Sequence, residues 1–180
     1  MKLYTTFALL KKHEARTERY KHLAKSLGGV TKYGKDTPIL LSTILDTNGL
    51  DDCLWALQAT DPKQDKQRDK LARLFAVWCC RETPLPDGRT GWDLLTDERS
   101  RNAVDVAERY AHGDATDEEL AAAWAAACGA AWDAAGAAAW AAAWAAAWAA
   151  ARDAAWAAAW VAARAAARDA QAKQLKKMLR

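Results

Sequence analysis

A chain of 180 residues with 52% hydrophobic and 27% charged side chains is long enough for one buried core, or for a small domain carrying an extended appendage, and the second arrangement is expected here. Its four cysteines, Cys53, Cys79, Cys80 and Cys128, lack C-x-x-C spacing, and the adjacent Cys79 and Cys80 are too constrained for an ordinary bridge. That argues against a disulfide scaffold, and the net charge of +3 conceals an imbalance: residues 1–35 carry nine Lys/Arg against Glu14 and Glu18, a balance of +7, which leaves −4 for the rest.

Residues 3–27 read as a first helix, with Lys11, Lys12, Arg16, Arg19, Lys21 and Lys25 on its wet side and Gly28-Gly29 at its end. Its apolar run is short and no small-residue cleavage site follows, so no signal peptide is expected and the location expected is cytoplasmic, in the host if a phage encodes the chain. After the loop VTKYGKD, Thr37-Pro38 has the form of an N-cap followed by proline at the first helical position, opening PILLSTILD, which Asn48-Gly49 closes. Leu50, Cys53, Leu54 and Leu57 fall at i, i+3, i+4 and i+7 and give the next short helix one apolar face; Leu71, Leu74, Phe75 and Trp78 repeat the pattern. Pro84, Pro86, Gly88 and Gly91 mark a loop. Thr96 is expected to cap a helix in which Ala103, Val106, Ala107 and Tyr110 share a face before Gly113 ends it. Strand signals are nearly absent. The expectation is an all-α fold, with a bundle of about five short helices over 1–115 and a long helical segment over 116–180.

That segment opens with a capping box, Thr116 to Glu119. Between residues 121 and 170, 33 of 50 positions are alanine, the residue that loses least on entering a helix. Larger side chains recur every four residues, among them Trp124, Trp132, Trp140, Trp144, Trp148, Trp156 and Trp160. At 100° per residue, a step of four overshoots a turn by about 40°, so the indole stripe spirals and cannot face one flat partner. An unbroken helix to residue 175 would measure about 90 Å, so a bent or broken arrangement is expected, with Gly129 and Gly136 as the weak points. The seven tryptophans are read as packing or oligomer-interface residues, with a partner-binding surface as the alternative and a membrane segment as the least favoured reading.

Catalytic chemistry is not visible. His13, His22 and His112 form no H-E-x-x-H and no Cys/His ligand spacing, and no phosphate-binding glycine motif occurs. Asp51/Asp52 and Asp93/Asp97 read as solvated helix starts. No metal, no cofactor and no enzyme activity are expected. Trp55, Trp78 and Trp92, with Tyr33, Lys35 and Asp36 from the first loop, are the candidate ligand- or partner-binding residues.

Three blocks, YGKDTPILLSTILDTNGLDDCLWAL (33–57), RLFAVWCCRE (73–82) and RSRNAVDVAERYAHGDATDEELAAAWAAA (99–127), run in order into the four-residue repeat. Together they resemble the immunity protein family of bacterial polymorphic toxin systems, which also occurs in phages. The likeness covers roughly residues 20–170. It departs where members often carry Ala-Cys and this chain has His13-Glu14-Ala15, so no thiol role carries over there. What the resemblance implies is a non-catalytic inhibitory protein that sequesters a protein toxin or defence effector. The alternative is a sponge for a nucleotide signal, stacked on Tyr33 or Trp55 with Lys35 on phosphate. A second copy of the chain is a further expected partner; nucleic acid and membrane are not.

Overall fold

Backbone hydrogen bonding in the computed structural model, which describes residues 1–85, 87–130 and 153–180, with side chains from 165 onward in the last stretch, is dominated by helices. The fold is all-α. The strand exception among the described residues is one two-residue antiparallel pair, β1 (Tyr4–Thr5) against β2 (Ile39–Leu40), with Tyr4 opposite Leu40 and Thr5 opposite Ile39. The helices in chain order are α1 (Phe7–Lys12), α2 (Thr17–Ser26), α3 (Val30–Tyr33), α4 (Leu41–Asn48), α5 (Leu50–Ala56), α6 (Asp65–Glu82), α7 (Gly91–Leu94), α8 (Glu98–His112), α9 (described over 117–130) and α10 (Asp153–Met178). No helix among the described residues is long and apolar enough to cross a membrane.

The sequence suggests a division at 115/116, whereas the chain forms two compact units, Met1–Ala72 with Ala170–Arg180, and Arg73–Asp169. In the first unit Leu3, Phe7, Leu23, Leu41, Ile44 and Leu71 are buried, and Leu175, from the end of α10, is completely so. Each such side chain contributes roughly 1.5–3 kcal/mol through burial. Helix α4 packs on α5 and on α2. Phe7 stands edge-on to two rings, Tyr20 at 5.3 Å and Tyr33 at 5.9 Å between centroids. The short ladder is fastened by Gln64, whose Oε1 accepts from the Tyr4 N–H at 3.1 Å and whose Nε2 donates to the Lys2 carbonyl at 3.1 Å. The Met1 ammonium donates to the Met178 carbonyl at 2.7 Å, at the negative end of α10.

The second unit is organised around Arg81 near the end of α6. Its guanidinium donates to Glu108 and Asp105 of α8, both at 2.6 Å, and lies over the Trp92 ring at 5.1 Å. Burial works against the Arg81 charge, but hydrogen bonds to Glu108 and Asp105 outweigh it and hold the group above its ordinary value. Arg101 approaches Trp92 at 5.5 Å, so one indole takes two guanidinium groups. A Cβ on Gly91 would lie 3.1 Å from the Cys80 carbonyl oxygen, which is why the start of α7 can approach α6 so closely.

Several local expectations need correction. Residues 3–27 are not one helix: β1, α1 and α2 share the stretch, and the break at 13–16 is a Schellman turn, with the Ala15 N–H donating to the Leu10 carbonyl and the Glu14 N–H to that of Lys11. Glu14 takes the left-handed position of that turn, at φ 60°. Thr37-Pro38 does not open a helix. The Thr37 hydroxyl instead donates back to the Tyr33 carbonyl at 2.8 Å, Pro38 leads into β2, and α4 begins at Leu41. The cap of α8 is Asp97, whose carboxylate accepts from the Arg99 N–H, and not Thr96. The stops at Gly49 and Gly113, and the reciprocal bonds of Thr116 and Glu119, are as expected.

Candidate functional site

The Schellman turn after α1 brings Ala15 and Arg16 to a cleft of about 410 Å³ in the first unit. Leu10, Leu23 and Ile44, all buried, give the cleft apolar lining, and Tyr20 and Trp55, both half-buried, add two aromatic surfaces. Arg16, Arg19, Asn48, Asp51 and Asp52 bring the polar groups. Asp52 is held on two sides, by the Asn48 side-chain amide at 2.9 Å and by Arg19 at 3.5 Å, and that amide also donates to the Arg19 carbonyl at 3.0 Å. The Arg19–Asp52 pair is mostly exposed on the arginine side, so its worth is orientation more than stability. Arg16 is exposed and makes no ion pair among the described residues.

Of the six expected ligand-binding residues, only Trp55 lines this cleft. The Tyr33 hydroxyl donates to the Pro38 carbonyl at 3.0 Å while its ring packs on Phe7, so the side chain braces the loop before β2. Lys35 and Asp36 are exposed on that loop, where the Lys35 carbonyl accepts from the Ala8 N–H at 2.9 Å. Trp78 and Trp92 belong to the second unit, Trp78 stacked on Phe75 at 6.4 Å and Trp92 beneath its two arginines. Arg16 and Tyr20 were not expected in a site. They are assembled by α2 packing on α4, a tertiary event that leaves no motif in the chain.

In the second unit the indole of Trp124 is 70% exposed, more than any other large apolar side chain among the described residues. The buried positions of α9 are Ala123 and Ala130, seven residues apart and aligned on one face, about 100° round the helix from Trp124. Their methyl groups permit close approach: a Cβ on Gly129 would lie 3.7 Å from the Arg99 guanidinium. Within this chain, therefore, Trp124 is not packed as the spiral seam led one to expect. Trp132, Trp140, Trp144 and Trp148 lie outside the described residues, as does the bend or break expected at Gly136; the backbone of α10 carries Trp156 and Trp160, whose side chains are also outside them.

All four cysteines are free thiols. Burial pushes the Cys53 thiol up to about 12, with the Asp46 carboxylate adding to it, and burial likewise raises Cys79 and Cys80. Each of these three therefore stays protonated and a poor nucleophile at neutral pH. Asp93 and Asp97 are held below the usual carboxylate range by hydrogen bonds from Thr90 and Arg99, the signature of helix starts. Among the described residues no three of His, Cys, Asp and Glu gather closely enough to hold a metal ion.

Among the described residues, the first unit thus holds an amphipathic cleft and the second an exposed indole, on an all-α framework. Comparison with protein families, curated proteins and solved structures returns no match.

Proposed function

We propose that this chain is a non-catalytic binding protein of the immunity or anti-defence type, which neutralises a protein toxin or defence effector by sequestering it. The observation that carries the reading is the exposed indole of Trp124, standing out of an alanine-rich helix beside Leu120 and Cys128, which lie four residues to either side. Tryptophan is the residue that most often anchors protein interfaces, and the surrounding methyl groups leave room for a partner to close around the ring. The sequence resemblance to immunity proteins and the protonated thiols point the same way.

The test is co-expression of the chain with each toxin or effector encoded beside it, read as restored growth, together with calorimetry on the purified pair. Trp124→Ala is expected to weaken that binding by about 2 kcal/mol or more, close to thirtyfold. Unchanged growth with every neighbouring effector, combined with no measurable heat of binding, would remove the proposal. Light scattering supplies a control: a dimer that Trp124→Ala dissolves would place the indole in a self-interface instead.

A further inference from the structure

We propose that the cleft between α2, α4 and α5 is a binding site for a small planar organic acid, a ring system carrying a single carboxylate. Its volume of about 410 Å³ falls within the range of ordinary small-molecule sites and is too small for a folded partner. The lining combines what such a ligand needs. Leu23 and Ile44 offer a dry surface, and Tyr20 and Trp55 present ring faces or edges against which a flat apolar body packs. Arg16 remains without a carboxylate among the described residues, and a guanidinium accommodates a carboxylate through two parallel hydrogen bonds.

Charge selects against a richer anion. Asp51 and Asp52 both line the cleft, and Arg19 is already turned to Asp52. A nucleotide polyphosphate would set several negative charges beside two carboxylates with one uncommitted arginine to offset them. A single carboxylate placed at Arg16 avoids that conflict.

The experiment uses the full chain and three probes, 2-naphthoate, indole-3-acetate and 3-phenylpropionate, titrated by calorimetry, with the Trp55 indole N–H followed by NMR. At least one probe is expected to saturate below about 1 mM and to move the Trp55 resonance. Arg16→Met, which removes an exposed guanidinium that makes no ion pair among the described residues and leaves the backbone of the α2 N-cap intact, should weaken the best probe by about tenfold or more while changing binding of neutral 2-naphthalenemethanol by less than about twofold. Adding ATP at the same concentration should not displace the acid. The proposal is overturned if no probe saturates, if Arg16→Met affects acid and alcohol equally, or if ATP displaces the acid. A capped tripeptide ending in a free phenylalanine carboxylate that bound more tightly than all three acids would overturn it too, because the occupant would then be a peptide end.

Discussion

Cys53 shows how a single buried atom makes the fold sensitive to pH. Its sulfur is fully buried, donates to the Leu41 carbonyl at 3.3 Å, and keeps its proton up to about pH 12, where an ordinary thiol loses it near 9.0. Between those values the folded chain binds a proton that the unfolded chain has released. The stabilisation is therefore complete below pH 9 and declines as pH rises toward 12, by at most about 1.4 kcal/mol per pH unit. Urea unfolding of the parent and of Cys53→Ala across that window should give a shallower pH slope for the variant. Thiol labelling at neutral pH should modify Cys79, Cys80 and Cys128 well before Cys53, which reacts only as the first unit opens.

Turns and caps decide where the elements begin and end, and they divide what the chain announces from what it hides. Gly28 and Glu14 occupy the same left-handed position in two Schellman turns, since after α2 the Gly29 N–H donates to the Ala24 carbonyl and that of Gly28 to Lys25, as Ala15 and Glu14 do after α1. The glycine turn was legible; the glutamate turn was not, because a side chain at positive φ costs about 1–2 kcal/mol and no local rule foresees it. Glu14→Gly should accordingly stabilise the protein by about 1 kcal/mol in thermal unfolding, with the chain path unchanged. Gly34→Ala should do the reverse. A Cβ there would come within 2.5 Å of the Thr37 hydroxyl oxygen at a φ of +99°, so the Thr37 bond to Tyr33 is broken and a loss of about 1–3 kcal/mol is expected in the same measurement. The apolar faces of α5 and α6 were readable from spacing in part: Leu50, Cys53, Leu71 and Phe75 are buried, Leu54, Leu57, Leu74 and Trp78 are half-buried, and Ala56 and Val77 are buried outside the expected stripes. The two-residue ladder depends on tertiary pairing that periodicity does not encode, whereas the choice of Asp97 over Thr96 turns on a local bond from the Arg99 N–H to the Asp97 carboxylate. The cleft, like the ladder, depends on tertiary contacts, and Trp55 alone of its lining was singled out beforehand.

The molecule as a whole joins segments far apart in sequence. Leu175 and Leu179 are buried in the unit that otherwise consists of residues 1–72, and Lys176 pairs with Asp46 of α4. The ion pair is exposed and contributes little, whereas the leucines fill the core. Leu175→Ala should cost about 2–5 kcal/mol in urea unfolding, a large part of the total stability of a domain of this size. Removing residues 170–180 should lower hydrogen-exchange protection in α4 and α5 by a comparable amount.

That closure has a temporal side. A ribosome completes residues 1–72 long before it reaches Ala170, with the 97 residues of the second unit to be made in between. At about 5–20 residues per second, the early segment waits on the order of 5–20 s with the place of Leu175 unfilled. The core of the first unit is complete only when the final turns of α10 have emerged and delivered Leu175 and Leu179.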